Sequence, residues 1–193
     1  MTGRLLAHFG ITTRMMAYHD HSGETTRDRV MERLKSGETV ALVSDAGTPL
    51  VSDPGYKLVN DVVDAGLHVT TAPGASSVLT ALQLSGLPTD RFVFLGFLPP
   101  RSAGRKRVLQ DWRDATASLV VFETAKRMTA FLSDAAEVFG DRDAALTREL
   151  TKRHEQVIRA TLPELSEQAT AKKIMLKGEC VVVIGPSDGL PDT

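Results

Sequence analysis

The chain has 193 residues, of which 42% are hydrophobic, with a net charge of -1 and a pI near 6.5. That length buries a substantial core in one domain or two small ones, and two is the preferred reading. The balanced charge excludes a globally basic nucleic-acid binder but leaves room for a local basic patch, and no apolar run reaches the length of a membrane span.

Met1-Thr2-Gly3-Arg4 does not begin a signal peptide, so a cytoplasmic protein is expected. Leu5, Leu6 and Phe9 read as the apolar face of a helix stopped by Gly10. Arg14 to Tyr18 reads as a weak strand. His19-Asp20-His21 follows as a solvated polar turn, and without a third ligand at a metal-binding spacing no metal is expected. Glu24 to Lys35 carries Val30, Met31 and Leu34 at helical spacing before a stop at Ser36-Gly37.

The stretch from Thr39 to Tyr56 holds the most information. Val40 to Val43 has the β-branched content of a strand buried on both faces. Ser44-Asp45-Ala46-Gly47-Thr48-Pro49 ends it in a polar loop, and Asp53-Pro54 has the chemistry of an N-cap and first helical residue. A strand-loop-helix junction at the carboxyl end of a strand is where open α/β sheets bind ligands.

The helix from Pro54 stops at Gly66, and Leu67 to Thr71 is the next expected strand. It runs into Pro73-Gly74-Ala75-Ser76-Ser77 and a helix ended by Gly86, so a second glycine-containing loop meets a helix N-terminus. Plain serine capping gives the same pattern. Arg91 to Phe97 reads as a strand broken by Leu98-Pro99-Pro100, where the domain boundary is placed. The expected division is 1–98, a basic linker loop at 99–107, and 108–193. Arg101, Arg105, Lys106 and Arg107 make that loop the densest positive cluster, whose natural partner is phosphate, although such runs are usually solvated faces.

In the second half, Ser118 to Glu123, Ala144 to Leu150, Glu155 to Thr161 and Glu179 to Gly185 read as strands. A helix with Met128, Phe131, Leu132, Ala135 and Val138 lies between the first two, stopped at Gly140. Thr161 with Glu164 has capping-box spacing. Cys180 lies in an apolar run, where a buried inert thiol is expected. GxGxxG, a Walker loop, a serine nucleophile elbow and a zinc ligand set are absent from the sequence. Polar strand ends at residues 44–49, 73–77, 123–124 and 148–152 suit a compact polar ligand with an apolar part.

The ordered strings SDAGTPLVSDPG, PGASS, ALQLSGLPTDRFVFLGFLPP, FETAKR, RELTKRHE and KGECVVVIG resemble the tetrapyrrole methylase superfamily, and within it the ribosomal RNA small subunit methyltransferase I branch. The resemblance covers nearly the whole chain. It implies a two-domain α/β fold, with a mainly parallel N-terminal sheet and a mixed C-terminal sheet, that binds S-adenosylmethionine between its domains as a homodimer. It further implies 2'-O-methylation of a cytidine ribose in 16S rRNA of the 30S subunit. Carried over, the cofactor contacts are Asp45, Ala46, Gly47, Leu50, Ser76 and Ser77, with Phe122, Leu150 and Gly178 in the second domain.

An activated sulfonium methyl needs alignment and exclusion of water more than acid-base machinery. A base for the hydroxyl proton is sought among Glu149, Glu123 and Lys152, with a structural Arg148–Glu149 ion pair as the alternative. Arg101, Arg105, Lys106, Arg107 and Lys152 are the expected phosphate contacts. Family members precede TGRLLAHFGI with a strand, a TPIGNL-type loop, a helix and an EDTR-ending strand, and add a helical C-terminal extension. These are absent from the sequence, so Met1 is read either as an internal start or as the edge of an excised piece, and the faces those strands would cover are expected to be open. Two other readings stand beside the leading one: tetrapyrrole C-methylation, and an inactive chain that keeps only RNA or dimer contacts.

Overall fold

A computed structural model describes residues 2–19 and 24–188. The chain divides into two compact units, Met1–Ser76 and Ser77–Thr193.

In the first unit lie α1 (Thr2–His8), α2 (Glu24–Lys35) and α3 (Tyr56–Asp64). Val30 from α2 packs with Leu58 and Val62 from α3, and Tyr18, Met31, Leu34 and Leu67 close around them. The expected stop of α2 is present: Gly37 has a φ of 88° and its N–H donates to the Leu34 carbonyl. The start of α3 differs from expectation. Gly55, at φ 135°, takes the N-cap position without a side-chain cap, so Asp53-Pro54 lies in the preceding turn. Helix α1 buries none of its residues, leaving Leu5 as well as the following Phe9 exposed.

Residues 14–18, 40–43 and 67–71, each expected as a strand, form no ladder, and no described residue of this unit belongs to a strand. Val40 and Val43 are 38% and 59% exposed rather than buried on two faces. Apolar periodicity signals an extended segment, but a strand also needs a second backbone to take its N–H and C=O groups. None of the described residues supplies one. The α/β class holds, with its sheet in the second unit.

That sheet has the order β1-β2-β5-β3-β4, from β1 (Phe92–Phe97), β2 (Ser118–Thr124), β3 (Asp143–Arg148), β4 (Gln156–Thr161) and β5 (Glu179–Ile184). β1 and β2 are parallel and the other neighbours antiparallel, which makes the expected mixed sheet. Side chains alternate across it. Leu119, Val121, Leu146, Val182 and Ile184 join α5 (Ser102–Asp111), α6 (Met128–Phe139) and α7 (Leu162–Thr170) in the larger core. Val120, Val181 and Val183 pack with Val78, Ala81 and Leu82 of α4 (Ser77–Ser85) on the opposite face. Gly86 at φ 74° ends α4 as expected, and the Arg159 side chain of β4 donates to the Leu84 and Ser85 carbonyls there. The capping box of α7 is also present, with the Thr161 N–H donating to Glu164 Oε2 at 2.9 Å.

Two boundaries differ from the sequence reading. β1 and α4 group with the second unit, so residues 99–107 lie inside it. The expected basic loop is largely helix α5, and Arg105 on it is buried, 2% exposed. Its guanidinium donates to Asp134 Oδ2 through Nε at 2.7 Å and lies 2.6 Å away through Nη2. Ser102 Oγ donates to the other Asp134 oxygen at 2.9 Å, and Arg105 Nη1 reaches the Pro100 carbonyl at 3.4 Å. This pair joins α5 to α6. Lys106 is similarly engaged by Glu137 at 2.5 Å.

Removing one member of a buried ion pair leaves the other uncompensated, at a cost of roughly 3–5 kcal/mol. Arg105→Ala is therefore expected to lower unfolding stability by about that amount in urea titrations. Arg107→Ala, on the exposed face of the same helix, is expected to leave the midpoint unchanged within about 0.5 kcal/mol.

Candidate active site at the carboxyl ends of the strands

Strands β1, β2 and β3 run in one direction, so Phe97, Thr124 and Arg148 end at the same side of the sheet, where β4 and β5 begin. One register row there reads Glu123, Cys180, Arg148, Gln156 across β2, β5, β3 and β4. The sequence-derived residues of the second half gather at this edge. Phe122 and Leu150 pack on the α4 face. Glu123, Glu149, Lys152 and Gly178 stand at the strand ends themselves.

Glu149 begins the turn after β3 with a φ of 50°. Its Oε1 accepts the Glu179 N–H at 3.0 Å and a proton from Lys152 Nζ at 3.0 Å. Lys152 also donates to Glu179 Oε2 at 2.8 Å. The backbone N–H of Glu179, then Lys152, hold the Glu149 carboxyl below its usual range, while Glu179 and then Glu149 hold the Lys152 ammonium above its own. Lys152 is therefore a charged donor at neutral pH, and Glu149 a weak base. The structural ion pair weighed for Glu149 exists, but its partner is Lys152. Arg148, buried, donates instead to Gln156 Oε1 at 3.3 Å and the Lys177 carbonyl at 3.1 Å.

Glu123 is fully buried at the end of β2. Its Oε1 accepts the Thr124 N–H at 2.6 Å and Arg127 Nε at 2.7 Å, whereas Oε2 has no hydrogen-bond partner. Arg127 was not singled out from the sequence. The signal for it was the Glu–Arg spacing of four in FETAKR, which brings opposite charges together over one turn.

In the first unit the two expected cofactor loops meet: Thr48 Oγ1 donates to the Ala75 carbonyl at 2.9 Å. Ser44 Oγ donates to the Ala46 and Gly47 carbonyls at 2.9 and 3.3 Å, closing the turn. Asp45 is exposed and accepts from the Thr2 hydroxyl at 3.1 Å and the Thr2 N–H at 3.3 Å, which lower its carboxyl pKa. Gly47, at φ 70°, has open space where a Cβ would stand. Leu50 has a φ of 72° and lies against Gly55. Ser76 ends the second loop and the exposed Ser77 is the first residue of α4. Of the expected phosphate contacts, Arg101 and Arg107 are exposed, while Arg105 and Lys106 are engaged by α6.

Asp20 and His21 lie outside the described residues. Among those described, no group of three His, Cys, Asp or Glu is placed to hold a metal, and no helix is long and apolar enough to cross a membrane.

Gly178 has a φ of 86°, and a Cβ there would stand 2.3 Å from Glu149 Oε1. Gly178→Ala is expected to destabilise the chain by at least about 1 kcal/mol from backbone strain alone, read by urea unfolding. Because the Glu149 carboxyl is lowered, its contribution is present above the ordinary value of 4.5 and is lost as pH falls through the folded value. Plots of Tm against pH should thus show a shallower acid limb for Glu149→Gln than for the parent chain. Burial pushes the Cys180 thiol up to about 11. Alkylation by iodoacetamide at neutral pH is expected only after unfolding.

Comparison with known proteins places this geometry in a family. The model of the tetrapyrrole (corrin/porphyrin) methylases matches residues 5–166. A protein of Halalkalibacterium halodurans named ribosomal RNA small subunit methyltransferase I is 42% identical over 185 residues, covering 95% of this chain and 63% of its own length. One of the same name from Xylella fastidiosa is 44% identical over 184 residues, covering 95% and 67%. The chain thus spans about two-thirds or less of these relatives. The crystal structure of diphthine synthase aligns with a TM-score of 0.71 at 22% identity over 95% of this chain and 73% of that one. Uroporphyrin-III C-methyltransferase from Thermus thermophilus, complexed with S-adenosyl homocysteine, aligns with a TM-score of 0.59 at 18% identity, covering 96% and 81%. The fold is shared with these structures, and by its sequence the chain belongs to the tetrapyrrole methylase family.

Proposed function

We propose that the protein is an S-adenosylmethionine-dependent methyltransferase that modifies the ribose 2'-oxygen of a cytidine in 16S rRNA of the small ribosomal subunit. The observation that carries this is the 42–44% identity, over nearly all of this chain, to proteins named ribosomal RNA small subunit methyltransferase I. The residues present fit the cofactor. Open space over Gly47 lets a ligand approach the backbone closely. Asp45, kept ionised by Thr2, suits an ammonium group or ribose hydroxyls. Ala46, Leu50 and Ser76 belong to the same first-unit loops, and Ser77, Phe122, Leu150 and Gly178 are the contacts the family resemblance implies in the second unit, where Phe122 and Leu150 are apolar and the space over Gly178 is taken by the Glu149 side chain.

When bound, S-adenosylmethionine supplies a methyl group already activated by its sulfonium. The protein's part is to hold the ribose hydroxyl in line and exclude water. Lys152, fixed by two carboxylates, is charge-compensated and serves to hold the strand ends in position. The hydroxyl proton has Glu123 or Glu149 as candidate acceptors, with Glu149 disfavoured by its lowered pKa. The exposed Arg101 and Arg107 serve as phosphate contacts. Homodimerisation and a cytoplasmic location belong to the same reading.

Transfer of labelled methyl from S-adenosylmethionine to 30S subunits tests it. Incorporation at a cytidine 2'-oxygen is expected, and no transfer, even when segments corresponding to the rest of its relatives' length are supplied, overturns the reading. Isothermal titration with S-adenosylmethionine is expected to show micromolar binding, and its absence favours the inactive-chain alternative. The fold shared with uroporphyrin-III C-methyltransferase favours a second reading, C-methylation of a tetrapyrrole. Binding of a porphyrinoid in place of RNA would select it.

A further inference from the structure

We propose that Arg153, Lys173 and Lys177 form a phosphate-contact surface along the strand-end edge of the second unit, taking the backbone of an RNA substrate. The inference rests on the RNA reading above and adds to it a surface distinct from Arg101 and Arg107.

Two loops leave this edge together. Arg148 and Gln156 are register partners, so residues 149–155 are the turn between β3 and β4, while residues 171–178 run from the end of α7 into β5. Their stems are bonded to each other. The Glu149 N–H donates to the Glu179 carbonyl at 2.9 Å, and the Glu179 N–H donates back to Glu149 Oε1 at 3.0 Å. Lys152 Nζ reaches Glu179 Oε2 at 2.8 Å, and Arg148 Nη1 donates to the Lys177 carbonyl at 3.1 Å. The Thr151 N–H, bonded to Glu155 Oε2 at 2.6 Å, closes the turn on itself. Both backbones are thus held before a ligand arrives, which lowers the ordering cost of binding.

The charges on these loops do not balance. Residues 149–155 and 171–179 carry five cations, Lys152, Arg153, Lys172, Lys173 and Lys177, against three carboxylates, Glu149, Glu155 and Glu179, in a chain whose net charge is -1. Lys152 takes two of those carboxylates, and Glu155 is turned to the Thr151 N–H. Lys172 follows α7, where the helix dipole already favours a cation. Arg153, Lys173 and Lys177 are exposed, and their side chains make no hydrogen bond or ion pair among the described residues. Burial alternates before β5: Ile174 is 5% exposed and Leu176 packs against the larger core, whereas Lys173, Met175 and Lys177 are exposed. Two cations therefore share the outer side of this segment with no carboxylate between them.

On α5, by contrast, Arg105 and Lys106 are neutralised by Asp134 and Glu137. Free cations spread over two loops, with no common anion drawing them together, fit an extended polyanion rather than one small ion. Their place beside the strand ends suits RNA, whose reacting ribose must reach that same edge while its phosphates are held.

The test uses equilibrium binding of oligocytidylate and of oligouridylate of equal length, each over a range of salt concentrations. Combining Arg153→Gln, Lys173→Gln and Lys177→Gln is expected to reduce the slope of log K against log salt by about 2, at about 0.7 for each single-strand phosphate. The reduction should be the same for both oligomers, because phosphate contacts carry no base information. Arg91→Gln removes an equally exposed cation from the opposite edge of the sheet and should keep the parent slope. Both variants alter exposed side chains and should keep the parent unfolding midpoint in urea. A parent-like slope in the triple variant overturns the inference, as does a loss confined to one oligomer, or a slope reduced by Arg91→Gln as much as by each of the three. So does a parent chain that binds neither oligomer. If methyl transfer to 30S subunits persists in any of these cases, the functional reading survives and only this surface is lost. If transfer is also absent, both fail. The expected slope change without transfer supports the surface and favours the inactive-chain alternative.

Discussion

The second unit depends on β5. Glu179–Ile184 pairs with β2 along one edge and β3 along the other, so the backbone groups of both neighbours are satisfied through it. Its side chains also serve both cores: Val182 and Ile184 face α5, α6 and α7, and Val181 and Val183 face α4. A β-branched run buried on two faces and paired on two edges loses a great deal of unfolded-state freedom, and only dense apolar contact offsets that. The polar strand ends are held in position by the same ladders. Glu123 and Arg148 flank Cys180 because β5 lies between their strands.

The same requirement explains how much was legible. Helix stops at Gly37 and Gly86 and the capping box at Thr161 are local devices, complete within a few residues, and they appear where the sequence put them. Strands β2, β3 and β5 were readable because each finds its partners. Val40 to Val43 has the same composition, but a ladder partner is a property of another segment, and no periodicity in the run itself reveals whether one is in place. The basic stretch failed differently. Ser102 and Gly104 read as loop residues, and Arg105 as solvated charge, because the carboxylate that buries it belongs to Asp134, 29 residues further on.

At the strand ends, charge is arranged to cancel. Lys152 is shared between Glu149 and Glu179, and Arg127 covers Glu123. The first of these pairings holds Glu149 and Lys152 in their charged forms, the opposite of what a general base working near neutral pH requires. Glu149 and Lys152 are thereby fixed in place rather than poised for proton transfer. That suits a reaction whose electrophile arrives activated, because the barrier then depends on geometry.

Backbone strain marks the same places. Of the described non-glycine residues with positive φ, Leu50 and Ser52 lie just past the first loop and Glu149 and Thr151 in the turn after β3, leaving only Lys172 elsewhere. Each such conformation costs of order 1–3 kcal/mol and persists only where surrounding contacts over-determine it. At Glu149 those contacts are visible: the Glu179 N–H and Lys152 hold its carboxylate, and Gly178 leaves the space in which the side chain lies. Gly178 and Glu149 are therefore one device, a glycine that makes room and a strained acid that fills it. Composition alone points to Gly178, whereas the strain at Glu149 falls on a residue type that gives no sign of it. The site's shape thus rests on positions of both kinds, and only the glycines announce themselves in sequence.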